Sequence, residues 1–180
     1  MDEKFRQLIE LGAGEFEQLN ASVIAHLEGT RCLLKAWNAS EILQQAGLYH
    51  AAYSTSALKQ NIFQLSQRAE VAVVIGTHVE NIIYHYFACD RDAFYTQLGL
   101  TNNPMFYDRI TSEKSDISFE LLQQLCELTA ANATELAINN PEFIVKHGTE
   151  LVDLFRRMQR FLSDSAQRKI EYVFASTFKV

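Results

Sequence analysis

The sequence predicts an all-α fold, an orthogonal bundle of about seven or eight helices, organised as one domain over residues 1–180. Three observations carry this. Only 7 Gly and 2 Pro punctuate 180 residues, fewer turns than a strand-rich fold needs. Apolar residues make up 48%, enough for a sizeable core. They recur mostly at the three-to-four spacing of an amphipathic helix.

The first helix is predicted from about Glu15 to Trp37, with Phe16, Leu19, Val23, Leu27, Thr30 and Leu34 on one stripe and His26 on the same face. Asn38 and Ser40 make a turn and an N-cap, and a second helix covers Glu41 to Tyr49. Segment 51–65 is shorter and more polar. After the apolar run Ala69 to Ile75, Gly76-Thr77 leads into a helix over Thr77 to Cys89. Its buried stripe is Val79, Ile83, Tyr86 and, at the end, Asp90. His78 and His85 fall on the opposite, solvent side. A short helix covers Ala93 to Leu98. Residues 101–118 are the least periodic. They read as an irregular loop with a small hairpin near Met105 to Ile110, and as the candidate lid or partner-contact loop. Ser118 caps a long helix to about Ile138, which Asn139-Asn140-Pro141 breaks. Two more helices run from about Thr149 to Phe161 and Ser165 to Phe178.

The formal net charge is −6, from 22 acidic and 16 basic residues that are interspersed. Such a surface repels phosphate backbones, so nucleic acid is not an expected partner. A basic run that would hold a membrane surface is absent, and no stretch nears the roughly 18 apolar residues of a membrane span. The acidic N-terminus MDEKFRQLIE is unlike a secretory signal. Cys32, Cys89 and Cys126 are odd in number and widely spaced, which fits reduced core thiols of a cytoplasmic protein. The expected partner is a small-molecule ligand, and a homo-oligomer is compatible with the sequence.

Burying an unpaired polar group costs about 1–3 kcal/mol, so polar residues on apolar stripes are the candidates for function. Four qualify: His26, His50, Asp90 and Asn132. Thr30, Tyr53, Ser54, Thr55 and Glu135 lie close to them in sequence. Tyr53, Ser54 and Thr55 read either as capping hydroxyls at a helix end or as a hydrogen-bonding rim for a ligand. Arg91 pairs with Asp90 or holds an anionic ligand group. Asn132 and Glu135, three apart on one face, serve a buried polar network or contact substrate.

The order of these residues resembles the HD-domain superfamily of metal-dependent phosphohydrolases, whose scheme is His, then His-Asp, then Asp. The first His corresponds to His26 in ASVIAHLEGTRCLL. The pair corresponds to His50-Ala51 in AGLYHAAYST. The closing Asp corresponds to Asn132 in LTAANATEL. The match is nearest to the hydrolase domain of the RelA/SpoT alarmone enzymes, since Ile75-Gly76-Thr77-His78-Val79 also resembles a phrase at the start of one of their helices. It spans roughly residues 20 to 138. The phrases are also similar to an uncharacterised HD-like family of this size. The resemblance implies an HD-type helical bundle with a site between the helices carrying His26, His50 and Asn132.

In that superfamily two histidines and two aspartates hold a divalent ion that activates water. Ala51 offers no ligand atom here, and Asn132 offers only a neutral amide. The carboxylates implied by the alarmone hydrolases fall on Ser54 and Thr55. The usual phosphohydrolase activity is therefore not expected, and neither metal nor other cofactor is assigned. Three readings follow. In the first, the protein is a metal-independent HD-fold protein whose pocket uses His26 or His50 as general acid or base. Asn132 joins them as a catalytic candidate, and Thr30, Tyr53, Ser54, Thr55, Asp90, Arg91 and Glu135 are substrate-binding candidates. In the second, a metal-dependent phosphohydrolase or oxygenase has rebuilt its ligand set from His26, His50 and Asp90, with Glu80 and Glu135 as further donors. In the third, the fold is a non-catalytic scaffold or regulator.

Overall fold

A computed structural model describes residues 6–7, 21–53 and 63–178. Its described residues form nine α-helices and one two-stranded sheet, so the chain is all-α as its composition dictates.

Helix α1, Ala21–Ala36, ends where Asn38 takes a left-handed φ of 61°. The amides of Asn38 and Ala39 then return to the carbonyls of Lys35 and Leu34, which satisfies the helix end. Ser40 caps α2, Glu41–Tyr49, accepting from the Leu43 amide. The two helices pack together, and Gly47 allows the approach: a Cβ there would meet Leu34 Cδ1 at 2.6 Å. The expected start of the first helix at residues 15–20 lies outside the described residues.

Helices α3, Arg68–Ile75, and α4, Thr77–Ala88, are joined by Gly76 at φ 96°, a backbone region that glycine adopts freely. Helix α5, Arg91–Tyr95, starts two residues earlier than its apolar pattern suggests, because Asp90 accepts from the Ala93 amide as its N-cap. The expected irregular segment contains an antiparallel hairpin, β1 Met105–Asp108 with β2 Glu113–Asp116, registered Met105 to Asp116 and Asp108 to Glu113. The fully exposed strand Glu113–Asp116 has no apolar alternation, so only its pairing with β1 makes it a strand. The hairpin is docked on the end of α4: Asp90 donates its amide to Tyr107 and Arg109 donates to Ala88. Phe106 is buried against Phe94 and His85.

Ser118 caps α6, Phe119–Asn139, as the sequence predicts. Helix α7 runs Pro141–Met158 and so begins well before Thr149. Pro141 breaks one helix but also opens the next, since its first-turn position needs no amide and Asn140 caps the Glu142 and Phe143 amides. Helices α8, Asp164–Val173, and α9, Ala175–Phe178, complete the chain's described part. The central helix α6 contacts α1, α2, α4, α7 and α8. A contiguous apolar core from Leu27 and Leu34 through Leu125 and Leu128 to Phe155 and Phe174 surrounds it. Among the described residues no helix is long and apolar enough to cross a membrane. Cys89 and Cys126 are buried, as core thiols should be. Cys32 is exposed, because its position on α1 lies off the stripe that packs inward.

One ion pair lies deep in this framework. Glu80 is 5% exposed and accepts from Arg68 Nε at 2.6 Å, Arg68 Nη2 at 3.0 Å and the Tyr53 hydroxyl at 2.7 Å. The Arg68 guanidinium also lies 3.4 Å over the Tyr84 ring. Removing one partner of such a pair strands the other's charge. Arg68→Ala should therefore lower unfolding free energy by about 2–3 kcal/mol, a figure reduced because Arg68 is itself partly solvated. Chemical denaturation at neutral pH measures it. A loss below about 0.5 kcal/mol, within the range of ordinary surface changes, would mean that Glu80 reaches water unaided.

Candidate functional site

Three helices and the end of a fourth turn polar side chains toward one cleft of about 1190 Å³. Helix α1 contributes His26 and Gly29, the end of α2 contributes His50 and Ala51, α4 contributes Tyr86 and Phe87, and α6 contributes Asn132, Glu135 and Asn139. Asp90, Arg91, Asp92 and Arg109 line the cleft as well.

The two histidines sit edge to face, with ring centroids 5.4 Å apart, and His50 meets the Tyr86 ring in the same way at 5.8 Å. His26 Nδ1 donates to Glu135 Oε2. The other carboxylate oxygen, Oε1, accepts from Asn139 Nδ2 at 2.6 Å. Asn139 thus holds Glu135, and Glu135 holds the His26 ring, so a neutral His26 presents Nε2 as its proton-accepting nitrogen. The arrangement needs Gly29, where a Cβ would come within 2.7 Å of Glu135 Oε1 and 2.8 Å of its Cγ.

His50 is fixed differently. It is 3% exposed, and Nδ1 donates to the Gly47 carbonyl at 2.7 Å. Burial lowers its pKa from 6.5 to about 4; the bond to Gly47 opposes this, while His26 and Arg91 add to it. His50 is therefore a neutral imidazole at physiological pH, with Nε2 unprotonated. Tyr86 accepts from Asn132 Nδ2 at 2.9 Å, which leaves its own hydroxyl proton to donate. Burial raises the Tyr86 pKa, so the phenol stays protonated. Cys89 also borders the cleft, but burial pushes its thiol up to about 12, which keeps it from acting as a thiolate.

The sequence candidates divide cleanly. His26, His50, Asp90, Arg91, Asn132 and Glu135 all line the cleft. Thr30 and Tyr53 do not. Thr30 is fully buried and its hydroxyl bonds back to the His26 carbonyl at 3.0 Å, one turn earlier. The Tyr53 hydroxyl is spent on Glu80. Ser54 and Thr55 lie outside the described residues. Asp90 is half-buried rather than at a buried helix end, and its Oδ1 caps α5. Arg91 lies over Tyr86 at 4.8 Å and forms no ion pair with Asp90. Sequence reasoning passed over Tyr86 as a core aromatic and Asn139 as a helix breaker. Asn139 was legible: Asn132, Glu135 and Asn139 stand at i, i+3 and i+7 on α6, one continuous polar face.

The donor set does not fit the divalent metal that the HD resemblance implies. Ala51 has no donor, Asn132 is neutral and bonded to Tyr86, and Glu80 is committed to Arg68 and Tyr53. Glu135 is engaged by His26 and Asn139. Among the described residues no three His, Cys, Asp or Glu side chains converge as ligands, so His26, His50 and Asp90 do not form a facial set.

Residues 7–91 match a protein family described as Domain of unknown function (DUF6817). The match covers His26, His50, Tyr86, Asp90 and Arg91 and stops short of the α6 residues. No curated protein matches the chain, and no solved structure does.

Proposed function

We propose that this chain is a metal-independent, divergent HD-like protein that binds a small molecule in the cleft and moves a proton with His26. The observation that carries this reading is the Asn139–Glu135–His26 chain of hydrogen bonds, which orients one imidazole into a cleft large enough for a small metabolite. A carboxylate on Nδ1 fixes the tautomer and leaves Nε2 as the nitrogen that takes the proton. Glu135 and Asn139 are positioning residues in this scheme.

The other groups supply a graded polar wall. His50 accepts a hydrogen bond through Nε2 without itself ionising, and the Tyr86 hydroxyl donates one. A ligand oxygen that gains negative charge as His26 removes a proton would be met by Tyr86. Isomerisation, elimination and hydrolysis all use this pair of roles. Three cysteines without a disulfide fit a cytoplasmic setting for such chemistry.

The test is to incubate purified protein with a metabolite extract and follow depletion by mass spectrometry, with elemental analysis of the same sample. The reading expects a compound to be consumed at a rate unchanged by a strong chelator, in protein free of stoichiometric transition metal. Consumption that stops with chelator and returns with one metal would favour a rebuilt metal site instead. No consumption, with a compound retained on the protein, would favour a non-catalytic binding role.

A further inference from the structure

Two arginines border the cleft, and neither is spent on a carboxylate. Arg91 stands at the start of α5 with its guanidinium 4.8 Å over the Tyr86 ring. Arg109 follows β1 and lies 4.4 Å over the Phe87 ring, with Nε donating to the Phe87 carbonyl at 2.9 Å. Tyr86 and Phe87 are adjacent on α4, and the hairpin bond from the Arg109 amide to Ala88 brings Arg109 to the same helix end as Arg91. Each guanidinium carbon thus lies over an aromatic ring, and Arg91 also bonds the Tyr95 side chain, while neither arginine forms an ion pair among the described residues. An arginine already packed on a ring gives up less entropy on binding an anion, and a guanidinium has five donors, so those left over can meet it.

Charge decides which anion. The cleft is also lined by Asp90, Asp92 and Glu135, so its fixed charges include no surplus of cations to balance a polyanion. Its remaining lining is uncharged and mixed, with Val23, Leu27 and Leu136 beside the polar His50, Asn132 and Asn139. Resting on the reading of the cleft as a small-molecule site, we propose that Arg91 and Arg109 form a subsite for a single carboxylate on an otherwise uncharged small ligand. The Tyr86 ring that supports Arg91 is also the ring that touches His50. The carboxylate end would therefore sit beside the histidine pair, and the rest of the ligand would run past His26 and His50.

Binding of benzoate, benzamide and phenyl phosphate, measured by calorimetric titration, tests this. Benzoate should bind about tenfold tighter than the neutral benzamide, the size of one good charge-assisted hydrogen bond. Phenyl phosphate should bind no tighter than benzoate. Arg91→Gln and Arg109→Gln should each remove most of the benzoate preference and leave benzamide affinity unchanged, with folding checked by circular dichroism. His26→Gln should keep the preference in full, so a failure of the proton-transfer reading would show separately from a failure of this subsite. Equal affinity for benzoate and benzamide in the unmodified protein would overturn the proposal without recourse to any variant. A tenfold preference for phenyl phosphate, or no saturable benzoate binding at millimolar concentration, would overturn it too.

Discussion

Under the proposed proton transfer, replacing His26 by Gln should slow turnover about 10²–10⁴-fold, the usual contribution of a positioned acid or base. Gln keeps a polar side chain of similar reach, so binding and folding should change little. The loss should appear in kcat with KM nearly constant, because the proton moves only in the transition state. Two companion variants separate His26 itself from the groups that hold it. Glu135→Gln keeps the volume and replaces the carboxylate that accepts from His26 Nδ1. Gly29→Ala keeps every polar group but places a Cβ where the Glu135 carboxylate now lies. Both should lower kcat by a smaller factor. Both should also erase the tautomer preference of the His26 ring, which nitrogen-15 shifts report directly. A His26→Gln protein with the parent's kcat would remove His26 from the chemistry. Parent-like His26 nitrogen shifts in Glu135→Gln would show that the carboxylate does not set the ring.

Acidification should destabilise the fold through His50. Its pKa in the folded protein is about 4, against 6.5 for an ordinary histidine. Between those values the unfolded chain binds a proton that the folded chain does not, so stability falls as pH falls. The window runs from about pH 6.5 down to about pH 4, and the full loss is about 3 kcal/mol. Below the folded value both states are protonated and this contribution stops growing. His50→Gln has nothing to titrate and should lack that share of the acid loss. Urea denaturation of both proteins across this range gives the difference curve. Parallel profiles would mean that His50 is hydrated enough to protonate in place.

Much of this site was present as pattern. His26, His50, Asp90 and Asn132 stand out because polar groups on apolar stripes need a reason, and all four line one cleft. Thr30 and Tyr53, candidates by nearness in sequence, do not reach it, since each has a private partner: a carbonyl one turn back for Thr30 and the Glu80 carboxylate for Tyr53. A stripe records which side of a helix faces inward, but it does not record what stands opposite.

The sequence by itself determined the helical class, the caps at Ser40 and Ser118 and the turn at Asn38. These are local properties, set by spacing within a turn or by the chemistry of one side chain. The tertiary structure decided which oxygen His26 holds, that Tyr86 and Asn139 line the cleft, and that Arg109 from a hairpin reaches the same helix end as Arg91. Those pairings join residues far apart in the chain, as His26 joins Glu135 across 109 positions. Only the packing of α1, α2 and α4 around α6 brings them within bonding distance.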